Sequence, residues 1–138
     1  DVSEKGFSYP NGVAIVPEVN IDEMSDSEKS KWTTLSDREK ESQLYTFDKP
    51  GKEKLITQEI RQEAFDNYTT TDDHGMLIVG IAYDQIGNKY YKVKNSWGTS
   101  DKHSGFFYAS EAFVRYKTMS IMINKNSIPK QIAKKLNL

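Results

Sequence analysis

Seven consecutive apolar residues, Met76-Leu77-Ile78-Val79-Gly80-Ile81-Ala82, constrain this chain more than any other feature. Side chains of a strand alternate between its faces, so a run apolar on both parities predicts a central strand buried on both sides. It is far shorter than the ~20 residues of a membrane helix. Asp84-Gln85-Ile86-Gly87-Asn88 follows and predicts a hairpin loop. Tyr91, Val93 and Asn95 then alternate with Tyr90, Lys92 and Lys94, the pattern of a half-exposed partner strand. Gly105-Phe106-Phe107-Tyr108 predicts a third short strand, Ser110 to Tyr116 a short helix, and Thr118 to Asn124 a further strand through Met119, Ile121 and Ile123. Pro129 to Leu136 predicts a C-terminal helix.

The earlier residues differ in kind. Residues 1–20 are punctuated by Gly, Pro and Asn, with a strand expected at Val13 to Val16 before Pro17. Residues 21–72 are highly charged and predict short helices on a solvated excursion. Ser25-x-x-Glu28 and Ser36-x-x-Glu39 have the form of capping boxes, in which side chains satisfy orphan amides at a helix start. Asp48-Lys49-Pro50-Gly51 predicts a turn. Thr57 is placed to cap a helix from Gln58 to about Tyr68, with Ile60, Ala64, Phe65 and Tyr68 on one face. Residues 73–138 are the β-rich part. The expected class is α+β: one domain over residues 1–138, an antiparallel sheet preceded by a helical insertion.

Composition removes several functions. The 138 residues carry 19 basic and 20 acidic groups, which gives no electrostatic case for nucleic acid. No membrane segment and no signal-like start are present in the sequence, and Asp1-Val2-Ser3-Glu4 reads as the middle of a pattern rather than its start. There is no cysteine, which excludes disulfides and thiolate metal sites within the chain. Asp72, Asp73 and His74 are adjacent, but three neighbours in sequence seldom converge on one ion, so neither metal nor cofactor is expected. His103, in the polar loop Thr99 to Ser104, is expected in solvent. The lysines 125, 130, 134 and 135 fit a solvated helix face.

His74 and Asn95 carry the chemistry. A thiol near neutral pH is mostly protonated; a histidine beside it lets the pair exist as thiolate and imidazolium, and then protonates the leaving amine. A third group must fix the imidazole's tautomer and orientation, and a side-chain amide does so without adding charge. Folding the hairpin about Ile86 sets position 74 opposite about position 98. Asn95 is then roughly three residues, ~10 Å, along the strand from that point. Trp97 is positioned to lie over the pair and exclude competing water. Taken singly, His74 reads as a structural histidine and Asn95-Ser96-Trp97-Gly98 as a strand end and turn. Their order across one hairpin, with Gly105-Phe106-Phe107 following, is what points to a site.

These residues resemble the papain superfamily, in the bleomycin hydrolase and aminopeptidase C branch. The superfamily pattern is matched by Asp73-His74-Gly75 through Gly80, by Lys92-Val93-Lys94-Asn95-Ser96-Trp97-Gly98 and by Gly105-Phe106-Phe107. The branch is suggested by Asp1-Val2-Ser3-Glu4-Lys5, similar to a strand preceding a long insertion, by the insertion at about residues 18–70, and by the tail Lys117 to Lys125 with Ile128-Pro129. The resemblance implies the papain-like right-hand half-barrel, with His74 as general base and acid, Asn95 as its orienting partner and Trp97 as their shield. It implies a peptide substrate, a cytoplasmic setting and a homo-oligomer. It also implies a helical half carrying the cysteine and an oxyanion-hole glutamine, neither of which has a position here. The chain alone is therefore expected to be inactive. The alternatives are a non-catalytic peptidase-like binding or scaffold module, and an acyl transferase on the same scaffold.

Overall fold

The computed structural model describes residues 1–2 and 5–138. The strand expected over Asp1 to Lys5 depends on Ser3 and Glu4, which lie outside the described residues. The described strands are β1 (Phe7–Ser8), β2 (Val13–Ala14), β3 (Leu77–Tyr83), β4 (Lys89–Lys94) and β5 (Phe106–Ser110). The helices are α1 (Asp26–Thr34), α2 (Asp37–Leu44), α3 (Gln58–Asp66), α4 (Glu111–Lys117) and α5 (Lys130–Lys135). The strands form one open sheet in the order β1-β2-β5-β4-β3. All neighbours are antiparallel except β2 and β5, which run parallel. A parallel pair needs a long crossover. The whole insertion and the β3–β4 hairpin lie between those two strands. No helix among the described residues is long and apolar enough to cross a membrane.

The helix starts are set by their caps. Ser25 and Ser36 each accept the N–H of the glutamate three residues on, while Glu28 and Glu39 return a bond to the cap's own N–H. The serine hydroxyl and the serine N–H both donate to that carboxylate, which holds Glu28 and Glu39 below the ordinary carboxylate range. Thr57 caps α3 through Ile60 N–H, and Ser110 caps α4 through Phe113 N–H. α3 ends at Asp66, earlier than the sequence pattern suggests. Of its expected face only Ala64 is buried; Phe65 and Tyr68 are exposed, and Tyr68 has already left the helix with φ 61°.

The core lies on one face of the sheet. Tyr91 sits opposite Ala109 and Val93 opposite Phe107, so alternate residues of β4 and β5 share that face. Ala14, Val93, Phe107, Ala109 and Phe113 are buried there, with Phe7, Val16, Met76 and Val114 packed around them. Burying side chains of the size of Val93 and Phe107 contributes about 1.5–3 kcal/mol each.

Two strand expectations are corrected. β3 is an edge strand, not a central one, and Leu77 is 62% and Ile81 59% exposed. Its sequence is apolar on both parities, but nothing among the described residues covers both faces or pairs with its outer edge. The segment from Thr118 to Asn124 is not a strand: it makes no ladder pairing, and Met122 is 99% exposed. An isolated segment of strand-like composition cannot satisfy its backbone groups within a sheet without a partner.

Candidate active site

His74 lies on the approach to β3, three residues before Leu77, and Asn95 lies one residue beyond the end of β4. The β3–β4 register brings them together. From Tyr83↔Lys89 to Gly80↔Lys92 the pairing follows a hairpin centred on position 86, but Ile78 pairs with Val93, so Val79 is an extra residue. This bulge shifts the register by one and moves the lead-in of β3 toward the end of β4. Asn95 N–H donates to Gly105 O at 2.8 Å, which keeps Asn95 beside the start of β5. His74 Nε2 then lies 2.7 Å from Asn95 Oδ1.

The network fixes the proton. Ser96 N–H can only donate, and it lies 2.7 Å from Asn95 Oδ1, so that atom is an acceptor. An acceptor facing Nε2 makes Nε2 the donor, and the proton of neutral His74 sits there. Nδ1 is left as the basic nitrogen, and no hydrogen bond to it is made by the described residues. Ser96 Oγ lies 3.4 Å from Nε2 as a long second acceptor. Asn95 is only 6% exposed, and its Nδ2 is buried without a hydrogen-bond partner among the described residues.

Trp97 covers this pair. Its ring lies 5.1 Å from the His74 ring at 33°. It is braced edge-on by Phe7 at 6.0 Å and Tyr9 at 5.3 Å. Tyr9 Oη donates to Asp101 Oδ2 at 3.1 Å, and Asp101 also accepts from His103 N–H and Gly105 N–H. Those bonds outweigh desolvation and hold the Asp101 carboxyl below its ordinary range, while desolvation and the neighbouring carboxylate raise the Tyr9 phenol. Asp101 therefore ties the loop after Trp97 to the turn after β1. Phe7, Tyr9, Ser96 and Asp101 are not apparent as site residues in the sequence; the one local signal is Asp101, an Asx-type turn residue preceding Ser104-Gly105. His103 also departs from expectation. It is half-buried, with Nε2 3.3 Å from Pro10 O and its ring against Gly12, where a Cβ would approach to 2.7 Å.

Gly105 is required by geometry. Its φ is 78°, and a Cβ would come within 2.3 Å of Gly98 O. That close approach brings the chain after Trp97 back onto β5. The Asp73 carboxylate accepts Val2 N–H at 3.2 and 3.1 Å. Among the described residues no group of three His, Asp or Glu side chains converges as a metal site.

An imidazole with Nε2–H held by an amide and Nδ1 open can take a proton from a thiol and return it to a leaving amine. Comparisons with known proteins find relatives among cysteine peptidases and aminopeptidases. A 34-residue stretch is 53% identical to cathepsin L1 of Drosophila melanogaster, covering 25% of this chain and 9% of that protein. Over 64 residues the chain is 28% identical to aminopeptidase C of Listeria monocytogenes, 46% of this chain and 14% of that one. It is 30% identical over 64 residues to the mitochondrial cysteine proteinase 1 of Saccharomyces cerevisiae, 45% of this chain and 13% of that protein. The chain thus matches about a tenth of the length of these relatives. The model of the Peptidase C1-like family matches residues 21–138. Its fold, its His–Asn hairpin and that match place the chain in one family: it belongs to the Peptidase C1-like family.

Proposed function

We propose that this chain is the β-rich, His/Asn-bearing part of a cysteine-type aminopeptidase of the bleomycin hydrolase kind, and that its cysteine is supplied by polypeptide outside these 138 residues. His74 acts as general base and acid, Asn95 holds its tautomer and orientation, and Trp97 keeps water from their hydrogen bond. The chain has no cysteine and is inactive alone. The observation that carries this reading is the 2.7 Å contact from His74 Nε2 to Asn95 Oδ1, which leaves Nδ1 open toward a nucleophile.

The surface supports an assembly as well. A compact monomer of 15.8 kDa is expected to expose about 7,300 Å². This chain exposes 10048 Å². The excess, about 2,700 Å² on one chain, is larger than the roughly 800 Å² each partner contributes to a standard interface. The apolar edge strand β3 and the exposed Ile121, Met122 and Ile123 contribute to it. A helical half carrying the cysteine and a homo-oligomer contact are the covers proposed here.

The absence of cysteine favours one second reading, a peptidase-like scaffold without catalysis. Reconstitution separates the two. Mixing the chain with a helical half from an aminopeptidase C relative, bearing its Gln and Cys, should restore thiol-sensitive hydrolysis of aminoacyl fluorogenic substrates, and His74→Ala should abolish it. Stable complex formation with no turnover overturns the enzyme reading and leaves the scaffold.

A further inference from the structure

On the face of the sheet opposite the core and the His74–Asn95 pair lies a cleft of about 1080 Å³, roofed by residues of the charged insertion. Val13 of β2 pairs with Tyr108 of β5, and Tyr90 of β4 with Ser110, so these residues share the face that alternates with Val93 and Phe107. Trp32, Leu35, Leu44 and Phe47 look onto it from α1, α2 and the turn after them. α1 and α2 bury no residue, and the one large apolar side chain of each, Trp32 and Leu44, lines the cleft.

The polar group on the sheet side is Glu53. An isolated bridge between Pro17 and Glu53 sets its backbone, and Val16 N–H at 2.8 Å and the Ser110 hydroxyl both donate to its Oε2. Oε1 has no hydrogen-bond partner among the described residues. No Lys, Arg or His among them lies within ion-pair distance of Glu53 or Asp84, and rim residue Lys52 is committed to Glu23 at 3.2 Å. The lining carries Glu18, Glu28, Asp48, Glu53 and Asp84 against Lys31, Lys49 and Lys52, an acidic excess, and Tyr90 is pushed up to about 12 by burial and by the charges of Glu53 and Asp84. Glu53 thus has no cation within ion-pair distance in a cleft lined by aromatic faces, and such faces attract cations.

We propose that this cleft is a binding site for an organic cation, an ammonium or guanidinium on an apolar or aromatic body. The cation bonds to Glu53 Oε1 and its body packs between Tyr90 and Tyr108 on the sheet and Trp32 and Phe47 on the roof. The site is separate from His74 and independent of whether the chain takes part in peptide hydrolysis.

The two tryptophans make the test direct, because Trp32 borders the cleft and Trp97 borders His74. Indole N–H signals of the 138-residue chain are followed by NMR while phenethylamine, its neutral analogue 2-phenylethanol, or the capped dipeptide acetyl-Phe-Lys-amide is added. The amine should shift Trp32 and leave Trp97 unmoved, and bind at least about tenfold tighter than the alcohol. Glu53→Gln should erase that preference. Dipeptide binding as tight as the amine assigns the cation to a peptide side chain; binding of the amine alone assigns it to a small molecule. Equal affinity for amine and alcohol, no shift of Trp32 with any probe, or an undiminished preference in Glu53→Gln overturns the proposal. The comparison of amine and alcohol on the unmodified chain needs no variant and decides the matter if Glu53→Gln fails to fold.

Discussion

Asn95→Ala should leave the fold almost as stable while freeing the imidazole proton. The substitution removes the acceptor of two hydrogen bonds, from His74 Nε2 and Ser96 N–H, both at 2.7 Å. Each such bond contributes about 1 kcal/mol net. Removing the amide opens space under Trp97 beside exposed Ser96, through which water can reach both donors. The same substitution deletes Asn95 Nδ2, a buried donor without a partner, whose desolvation costs about 1–3 kcal/mol. These terms oppose one another, and folding free energy should change by no more than about 1 kcal/mol in urea denaturation. The proton behaves differently. In the unmodified chain the His74 Nε2–H, bonded to Asn95 and covered by Trp97, should give a downfield signal protected from exchange; in Asn95→Ala it should vanish into water. A loss of 3 kcal/mol or more, or a signal that persists in the variant, would refute this reasoning.

Four further outcomes are expected. Gly105→Ala should destabilise by about 2 kcal/mol or more, since positive φ and a 2.3 Å clash with Gly98 O coincide, whereas Gly87→Ala, at φ 90° in open space, should cost about 1 kcal/mol; thermal or urea melts compare them. Ser110→Ala removes a buried cap from α4 and a donor to Glu53, and should cost about 1–3 kcal/mol. Burial raises the Glu53 carboxyl above its ordinary 4.5, so the folded state binds that proton more tightly. Its contribution is present below that value and is lost as pH rises through the raised one; stability of the unmodified chain minus Glu53→Gln should fall across that window, and a rise would contradict it. Light scattering should show the isolated chain self-associating as concentration rises, because its surface exceeds that of a compact monomer by about 2,700 Å²; a stable monomer at high concentration would count against a missing cover.

Much of this architecture is legible in the residues, and the failures share a cause. The hairpin of β3 and β4, the alternation that buries Val93 and Asn95, both capping boxes and the Thr57 cap are local patterns, and each is found in the structure. The pairing of His74 with Asn95 is legible as an order of residues but not as a distance. The bulge at Val79 that helps close the gap depends on no pattern readable in the sequence. Whether β3 is central or at an edge depends on what lies beside it, and apolarity on both parities does not supply a neighbour. The same holds for Thr118 to Asn124, strand-like in composition and unpaired in fact. Tyr9 and Asp101 are 92 residues apart and meet only in the folded loop, as do His103 and Gly12.

The measurement closest to the central claim is the pH dependence of thiol alkylation in the reconstituted assembly. A cysteine facing His74 Nδ1 should form a thiolate well below the free-thiol value of about 8.5, because the imidazolium beside it stabilises the charge. Rates of reaction with iodoacetamide, followed from pH 4 to 10, should therefore rise through a low transition with unmodified His74. In His74→Gln the transition should return to about 8.5. The same profile with and without His74 would contradict the account, because the cysteine would then owe nothing to this chain.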